Sequence, residues 1–310
     1  MKKDLLDLST LSREEIVSIL DLADNIKKNP KNYSNKLLGK TLLMIFEKPS
    51  LRTRVSFEVG MTQLGGHAIY YNIATSPLGK KESVSDTAKT ASRYVDIIMA
   101  RLFSHQQLKE IAQSATVPVI NALTDYSHPC QILADLQTIR EKKGKLEGMK
   151  LAYLGDGNNN VTHSLLFGCA IMGINIYVGC PAGDEYKPLK EVVGKAKELA
   201  KKSNAKIIIT QNGEAAAKDA DIIYTDSWMS YHIPENLKEE RVKLFTPFQV
   251  NKKLISHAKK DAIFMNCLPA IRGMEQTTDV IDGPQSIVFD QAENRLHVQK
   301  ALMLKLLNIK

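Results

Sequence analysis

Residues 41–54 read Thr41-Leu-Leu-Met-Ile-Phe-Glu-Lys-Pro-Ser-Leu-Arg-Thr-Arg54, and this stretch decides the fold. The apolar run Thr41–Phe46 predicts a buried strand. A turn follows, and helix-compatible sequence begins at Leu51, so Ser50 is predicted to cap that helix. A buried strand that leads directly into a helix is the repeating unit of parallel α/β sheets.

The turn between this strand and helix carries groups that bind phosphate. Backbone N–H groups at a helix start already favour an anion. The turn adds the hydroxyls of Ser50 and Thr53 and the guanidinium groups of Arg52 and Arg54, and guanidinium matches phosphate oxygens two at a time. The sequence therefore predicts a phosphate-binding turn. The alternative is a capped surface helix with two solvated arginines.

Composition narrows the class of protein. The chain has 310 residues, enough for two domains, with 44% hydrophobic and 25% charged residues, as in globular proteins. No apolar run approaches the ~20 residues of a membrane span. The net charge of +8 suits anionic small molecules. Nucleic acid is not expected as a partner, because the basic residues are scattered among 34 acidic ones.

The N-terminal segment and the cysteines indicate a reducing compartment. The first residues, Met1 to Leu8, include acidic side chains and too short an apolar stretch for a signal peptide, so we expect the cytoplasm. The cysteines are Cys130, Cys169, Cys180 and Cys267, and none forms a Cys-x-x-Cys pair. We therefore expect reduced thiols and no metal site.

Strand-like and helix-like segments alternate along the whole chain. In the first half the predicted strands are 41–46, 68–71, 96–101 and 118–122, and the predicted helices are 51–64, 86–94, 105–113 and 130–142. After a polar break at 144–148, the predicted strands are 150–154, 175–179, 206–210, 221–225 and 262–266, and the predicted helices are 161–172, 189–202 and 215–218. A long amphipathic helix is predicted over 291–307.

This rhythm predicts an α/β protein of two domains, each a parallel sheet flanked by helices. The domains are predicted at 1–146 and 147–290, with the helix 291–310 packing back on the first domain. Chemically active residues follow the strands, among them Arg101, His128, Asp226 and Cys267. Because ligands bind beyond the carboxyl ends of parallel strands, we expect one active site in a cleft between the domains.

Several of these segments resemble a known family. They are Phe46–Glu58, the His128-Pro-Cys-Gln131 motif, the Asp226 segment, Cys267-Leu-Pro-Ala270 and Ala292-Glu-Asn-Arg-Leu-His297. In this order they resemble the aspartate/ornithine carbamoyltransferase superfamily, and within it the ornithine carbamoyltransferases. The resemblance implies transfer of a carbamoyl group from carbamoyl phosphate to ornithine, giving citrulline and phosphate, in arginine biosynthesis. It also implies no metal, no organic cofactor, and a homotrimer or an assembly of trimers.

The resemblance assigns roles residue by residue. Phosphate would be bound by Ser50, the Leu51 amide, Arg52 and Thr53. The carbamoyl group would be contacted by Arg101, His128 and Gln131 and by the carbonyls of Cys267 and Leu268, and Arg295 would complete its charge neutralisation. Ornithine would be bound by Asn159 or Asn160, Asp226, Ser230 and Tyr231. The catalytic residues would be Arg101, His128, Cys267 and Asp226, and the proton of the amine would leave to Asp226, to Cys267 or to the departing phosphate.

Each of these residues also has an ordinary structural interpretation. His128 precedes a proline and could cap the next helix, and Cys267 could be a small buried hydrophobe. Asp226 could cap a loop, and Arg101 and Arg295 could be solvated surface charges. Their joint placement at strand ends favours the functional interpretation.

The sequence departs from the family pattern in four places. Leu51 stands where Thr is common, and Pro77 stands where ornithine enzymes carry Gln, in a loop that reaches a neighbouring subunit; Lys80 and Lys81 are predicted to substitute for that contact. The segment Ser230-Tyr231-His232 replaces Ser-Met-Gly, and Asn266 replaces His.

These departures keep other functions open. One alternative is a carbamoyltransferase for putrescine or a modified ornithine, and another is a non-catalytic relative that binds carbamoyl phosphate. Aspartate as acceptor is disfavoured, because Asp226 places negative charge where an amine would bind. A nicotinamide dehydrogenase is disfavoured too, since Gly155-Asp-Gly157-Asn-Asn-Asn160 lacks the third glycine of the fingerprint.

Overall fold

The structure is a computed structural model that describes residues 4–73, 82–229 and 233–309. The chain divides into two compact units, Met1–Gln137 with Glu293–Lys310, and Thr138–Ala292. Helices α5 (Pro129–Lys143) and α12 (Val288–Leu306) contribute residues to both units. The domain limits predicted at residues 146 and 290, and the predicted cleft, stay predictions.

The first unit contains a parallel sheet in the order β2-β1-β3-β4. The strands are β1 (Thr41–Phe46), β2 (His67–Asn72), β3 (Ile97–Arg101) and β4 (Val119–Leu123). The helices are α1 (Arg13–Lys28), α2 (Leu51–Gln63), α3 (Val84–Ala91) and α4 (His105–Ser114), followed by α5. Strands β1 and β3 are central, which explains their nearly continuous apolar sequence.

An irregularity in this sheet lies beside a predicted site residue, Arg101. Strands β3 and β4 pair in register up to Ala100 opposite Asn121, but Arg101 lies opposite Leu123. One residue is therefore skipped on β4 at the carboxyl end of β3. The extra residue is Ala122 of β4, and Arg101 is the last residue of β3 that pairs beyond it.

The second unit contains a parallel sheet in the order β7-β6-β5-β8-β9. The strands are β5 (Lys150–Leu154), β6 (Asn175–Gly179), β7 (Ile207–Thr210), β8 (Ile222–Thr225) and β9 (Ile263–Asn266). The helices are α6 (Asn160–Met172), α7 (Lys190–Ala200), α8 (Gly213–Ala217), α9 (Lys238–Phe245), α10 (Lys252–Ile255) and α11 (Thr278–Ile281). The order reverses between β5 and β8, where such sheets bind ligands.

These two sheets confirm the predicted α/β class with parallel sheets flanked by helices. The sequence reading omitted α1, although Ser12 and Glu15 form a capping box at its start. It also omitted α9, α10 and α11, which have weak or short patterns and take their form from tertiary packing.

Candidate active site

The turn between β1 and α2 forms a helix N-terminus of the kind that the sequence predicted. Ser50 has an extended backbone, and its Oγ accepts the N–H of Thr53 at 3.3 Å. The amides of Leu51 and Arg52 stand in the first turn of α2, where backbone N–H groups have no partner within the helix. This end of α2 can therefore bind an anion.

Two buried arginines converge on this turn from distant parts of the sequence. Arg101 Nη1 donates to Thr53 Oγ1 at 3.4 Å, and Arg295 Nη2 donates to the same oxygen at 3.3 Å. Arg295 also donates to Gln131 Oε1 at 2.8 Å and to Gln299 Oε1 at 2.9 Å. Both guanidinium groups are thus directed at Thr53, and Gln131 and Gln299 hold that of Arg295 in place.

His128 lies buried in the same positive environment. Burial and the charges of Arg295, Arg101 and Arg52 lower the pKa of His128 well below its usual value. The imidazole is therefore neutral at physiological pH, and a neutral imidazole keeps one N–H donor. We call the set Ser50, Leu51, Arg52, Thr53, Arg101, His128, Gln131 and Arg295 the first half-site.

Arg54 does not join the first half-site. Its Nε donates to Glu58 Oε2 at 3.1 Å, and its guanidinium lies 4.1 Å from the centre of the Tyr70 ring. The expectation that both arginines of the turn bind phosphate is therefore not supported for Arg54.

Lys48 is an additional cation that the sequence reading passed over. Its ammonium lies over the Phe103 ring, 4.9 Å from the centroid, and the side chain is largely buried. Burial and the neighbouring charge of Arg101 lower the pKa of Lys48 to about 7. The only signal in the sequence was its position two residues before Ser50.

In the second unit, two predicted residues meet at adjacent strand ends. Asp226 directly follows β8 and Cys267 directly follows β9. The thiol of Cys267 donates to Asp226 Oδ1 at 3.2 Å. A carboxylate and a thiol at this edge can hold an ammonium or amine. We call Asn159, Asn160, Asp226, Cys267 and Leu268 the second half-site.

The two candidate asparagines at the start of α6 have different surroundings. Asn159 caps the helix: its Oδ1 accepts the N–H of Thr162 at 2.8 Å, and its Nδ2 donates to Tyr153 Oη at 2.8 Å and to the Asp156 carbonyl at 2.7 Å. The side chain of Asn159 is therefore committed to the fold. Asn160 is half-buried at the first helical position.

A buried ion pair that the sequence did not reveal supports the Asp226 segment. Arg241 of α9 pairs with Asp156, and its Nε donates to the Trp228 carbonyl at 2.8 Å. Burial raises the pKa of Asp156 to about 6 against the opposing charge of Arg241. The backbone two residues after Asp226 is thus tied to the turn after β5. No sequence pattern distinguishes Arg241 from its charged neighbours.

In the turn after β5, protein atoms occupy the space beside Gly157. Gly157 donates its N–H to the Tyr186 carbonyl at 2.9 Å, and a Cβ at Gly157 would lie 2.7 Å from that oxygen. In a dinucleotide-binding turn the glycine instead allows a pyrophosphate to approach. This packing disfavours the dehydrogenase alternative.

Some predicted features lie outside the described residues: Ser230, Tyr231 and His232, as well as Pro77, Lys80 and Lys81. Within the described part of the chain, no group of three His, Cys, Asp or Glu side chains could hold a metal ion. Among those residues, too, no helix has the length and apolar character needed to span a membrane.

Comparison with known families identifies the class of protein. The family described as "Aspartate/ornithine carbamoyltransferase, carbamoyl-P binding domain" matches residues 3–141. The family described as "Aspartate/ornithine carbamoyltransferase, Asp/Orn binding domain" matches residues 147–306. This chain belongs to the aspartate/ornithine carbamoyltransferase family, which confirms the resemblance seen in the motifs.

Individual relatives of this chain carry more specific names than the family. A protein of Methanocaldococcus jannaschii named ornithine carbamoyltransferase is 52% identical, with 96% of this chain and 97% of the relative covered. A protein of Thermoplasma volcanium named catabolic ornithine carbamoyltransferase is 49% identical, with 99% of each covered. The structure of ornithine carbamoyltransferase from Pyrococcus furiosus superposes with a TM-score of 0.93 at 51% identity, covering 97% of this chain and 96% of that one.

Proposed function

We propose that this chain transfers the carbamoyl group of carbamoyl phosphate to the side-chain amine of L-ornithine, producing L-citrulline and phosphate. The observation that carries the proposal is the convergence of Arg101 and Arg295 on Thr53 at the N-terminus of α2. A helix start, a hydroxyl and two fixed guanidinium groups together suit a phosphate dianion that also carries a small polar group.

The donor is proposed to bind in the first half-site. Its phosphate is held by Ser50, Arg52, Thr53 and the Leu51 amide, and Arg295 adds charge. As the carbamoyl carbon becomes tetrahedral, negative charge grows on its oxygen. Arg101 and the neutral imidazole of His128 are proposed to donate to that oxygen, an effect worth ~3–4 kcal/mol for a single well-placed donor.

The acceptor is proposed to bind in the second half-site. Asp226 and Cys267 hold the side-chain nitrogen of ornithine, and their 3.2 Å contact sets their spacing. Asn159 or Asn160 is proposed to bind the amino-acid end, and the side chain of Asn159 also caps α6. Ser230 and Tyr231 are proposed as further ornithine contacts.

The chemical step needs no cofactor. The nitrogen lone pair of the neutral amine forms a bond to the carbamoyl carbon, and the bond from that carbon to the phosphate oxygen breaks. Phosphate leaves with the electron pair, and the amine loses one proton to Asp226, to Cys267 or to the departing phosphate. For this transfer the amine must reach the bound carbamoyl carbon, so the proposal requires the predicted active-site cleft between the domains.

We also propose a homotrimer or an assembly of trimers. Leu51, Val55 and Val59 recur every four residues on α2 and are exposed, and Ile69 is exposed on the edge strand β2. Such an apolar stripe is typical of a protein interface. Sedimentation of Val55→Glu should show a smaller species than the parent protein, and unchanged sedimentation would count against this interface.

The cytoplasm is the proposed compartment, since all four cysteines are free thiols. Citrulline formation within arginine biosynthesis is the proposed direction. The catabolic name of the Thermoplasma volcanium relative makes the reverse reaction the alternative. Measuring kcat/KM for both directions on one preparation tests this choice.

A colorimetric citrulline assay with ornithine and carbamoyl phosphate tests the proposed activity. Putrescine, lysine and N-acetylornithine are run in parallel with release of phosphate as a common readout. We expect ornithine to be preferred over all three. Preference for another amine would assign a different acceptor, and binding of carbamoyl phosphate without any transfer would indicate a non-catalytic relative.

A further inference from the structure

Leu268 has an unusual backbone conformation at the proposed donor-binding carbonyls. Its φ is +57°, in the left-handed region that a leucine rarely adopts. A residue in this region persists only when its surroundings hold it there, and such residues concentrate at functional sites. The question is therefore which groups hold the Leu268 peptide.

The side chain of Asn266 provides the direct restraint. Its Oδ1 accepts the N–H of Leu268 at 2.8 Å. Asparagine commonly binds the backbone two residues further along the chain in this way, which stabilises a turn. Asn266 is fully buried, so water does not compete for this hydrogen bond.

The Asn266 amide is itself oriented by a second amide. Its Nδ2 donates to Gln276 Oε1 at 3.1 Å, and Gln276 Nε2 donates to the Ile271 carbonyl at 3.1 Å. Because Nδ2 is committed to Gln276, the atom directed at Leu268 is the acceptor Oδ1. Gln276 thus determines which end of the Asn266 side chain meets the Leu268 N–H.

The backbone of Asn266 is anchored as well. Its N–H donates to Gln291 Oε1 at 3.0 Å, and Gln291 Nε2 donates to Tyr224 Oη at 3.0 Å. Asn266, Gln276, Gln291 and Tyr224 are all fully buried. A buried polar network with its partners in place is rigid and specifies one geometry.

We propose that Asn266 is a positioning residue that holds the Leu268 peptide in the orientation that binds the carbamoyl amide. This inference rests on the proposed function, since it assumes that the Cys267 and Leu268 carbonyls accept from the donor. An asparagine amide does not titrate, so this restraint is independent of pH.

The test compares one ligand that carries the group to be positioned with one that lacks it. Phosphonoacetamide carries both a phosphonate and a carboxamide, whereas inorganic phosphate lacks the carboxamide. Titration calorimetry measures both dissociation constants for the parent protein and each variant. The ratio of the two constants reports the carboxamide contribution separately from phosphate binding.

The variants separate the effect of losing the Asn266 acceptor oxygen from the effect of disturbing the packing around it. Asn266→Ala removes the acceptor, and Gln276→Leu leaves Asn266 but removes the group that orients it. Asn266→Asp, when protonated in its buried site, keeps an oxygen for Leu268 and an O–H for Gln276. Gln285→Ala is the matched control, because it removes an amide that donates to the Ala262 carbonyl at 2.8 Å, just before β9.

Asn266→Ala is expected to weaken phosphonoacetamide by about tenfold, the equivalent of ~1.4 kcal/mol, and phosphate by less than twofold. Gln276→Leu should shift the ratio in the same direction by a smaller factor, and Asn266→Asp should restore it to within about threefold of the parent value. Gln285→Ala should lower the melting temperature without changing the ratio.

The proposal is overturned if Asn266→Ala weakens both ligands equally or neither, or if Gln285→Ala shifts the ratio as much. Should Asn266→Ala fail to fold, an unchanged ratio in Gln276→Leu overturns it instead. Failure of the proposed function is distinguishable, because the parent protein would then bind phosphonoacetamide no better than phosphate and make no citrulline.

Discussion

Lys48 should take up a proton when an anion binds at the first half-site. Its pKa is lowered to about 7 by burial and by Arg101, so at pH 8 the amine is only about 10% protonated. A bound dianion favours the charged form of the amine and so raises this pKa. Two opposite unit charges ~6 Å apart at an effective dielectric constant of 20 attract by about 2.8 kcal/mol, which raises a pKa by about 2.

A Lys48 pKa of about 9 in the complex means that the amine is about 90% protonated at pH 8. Binding should therefore take up about 0.8 proton. The sign follows from linkage: the bound state holds more protons than the free state between pH 7 and pH 9, so anion affinity falls as pH rises through this window.

The assay is titration calorimetry with phosphonoacetamide at pH 8 in buffers of different ionisation enthalpy. The dependence of the observed heat on the buffer gives the number of protons taken up. Lys48→Met removes the titrating group and keeps an unbranched apolar chain of similar length. A parent value near zero, or the same uptake in Lys48→Met, would refute the reasoning.

Three further predictions concern Arg295 of the first half-site, Asp226 of the second, and Arg241, which supports the Asp226 segment. Arg295→Lys should raise the KM for carbamoyl phosphate about 10- to 100-fold, because an ammonium cannot make the three directed contacts of the guanidinium; a change below twofold in steady-state kinetics would contradict this role. Asp226→Asn should raise the KM for ornithine by about tenfold or more while calorimetric binding of phosphonoacetamide stays constant, since only the amine loses a countercharge; an unchanged KM for ornithine would exclude Asp226 from acceptor binding. Arg241→Gln leaves the buried Asp156 carboxylate unpaired, so urea unfolding should show a loss of about 3–5 kcal/mol at pH 8 and a smaller loss at pH 5.5. The pKa of Asp156 in the folded state is raised to about 6, above its value in the unfolded state, so the folded protein loses stability as Asp156 ionises with rising pH. Equal losses at pH 5.5 and pH 8 would contradict a pairing of Arg241 with the ionised Asp156 carboxylate.

Local sequence predicted the elements that carry the chemistry well. Strand β1 occupies Thr41–Phe46 as predicted, and Ser50 caps α2 as predicted, because a buried apolar run and an N-cap are both local signals. The helices that were not predicted lack such local signals. Helices α9 and α10 are short or weakly amphipathic, so their stability depends on contacts that no local window contains.

The site residues also divide into those with a local sequence signal and those placed by long-range contacts. Motif order singled out Arg101, His128, Asp226 and Cys267. Arg101 ends a strand, His128 directly precedes a helix, and Asp226 and Cys267 each directly follow a strand. Arg241 was not predicted, since its pairing with Asp156 joins residues 85 positions apart. Gln276 and Gln291 were missed for the same reason, although they are fully buried around Asn266.

The sequence alone determined the parallel α/β plan, the capped turn before α2 and the family, because hydrophobic period, turn residues and motif order are all encoded along the chain. Only the tertiary structure decided that Arg295 and not Arg54 accompanies Arg101 at Thr53, that Asn159 is used as a cap, and that Asn266 restrains Leu268. The physical reason is that directed hydrogen bonds and buried charges depend on distances of a few ångströms between residues far apart in sequence, and local patterns do not contain those distances.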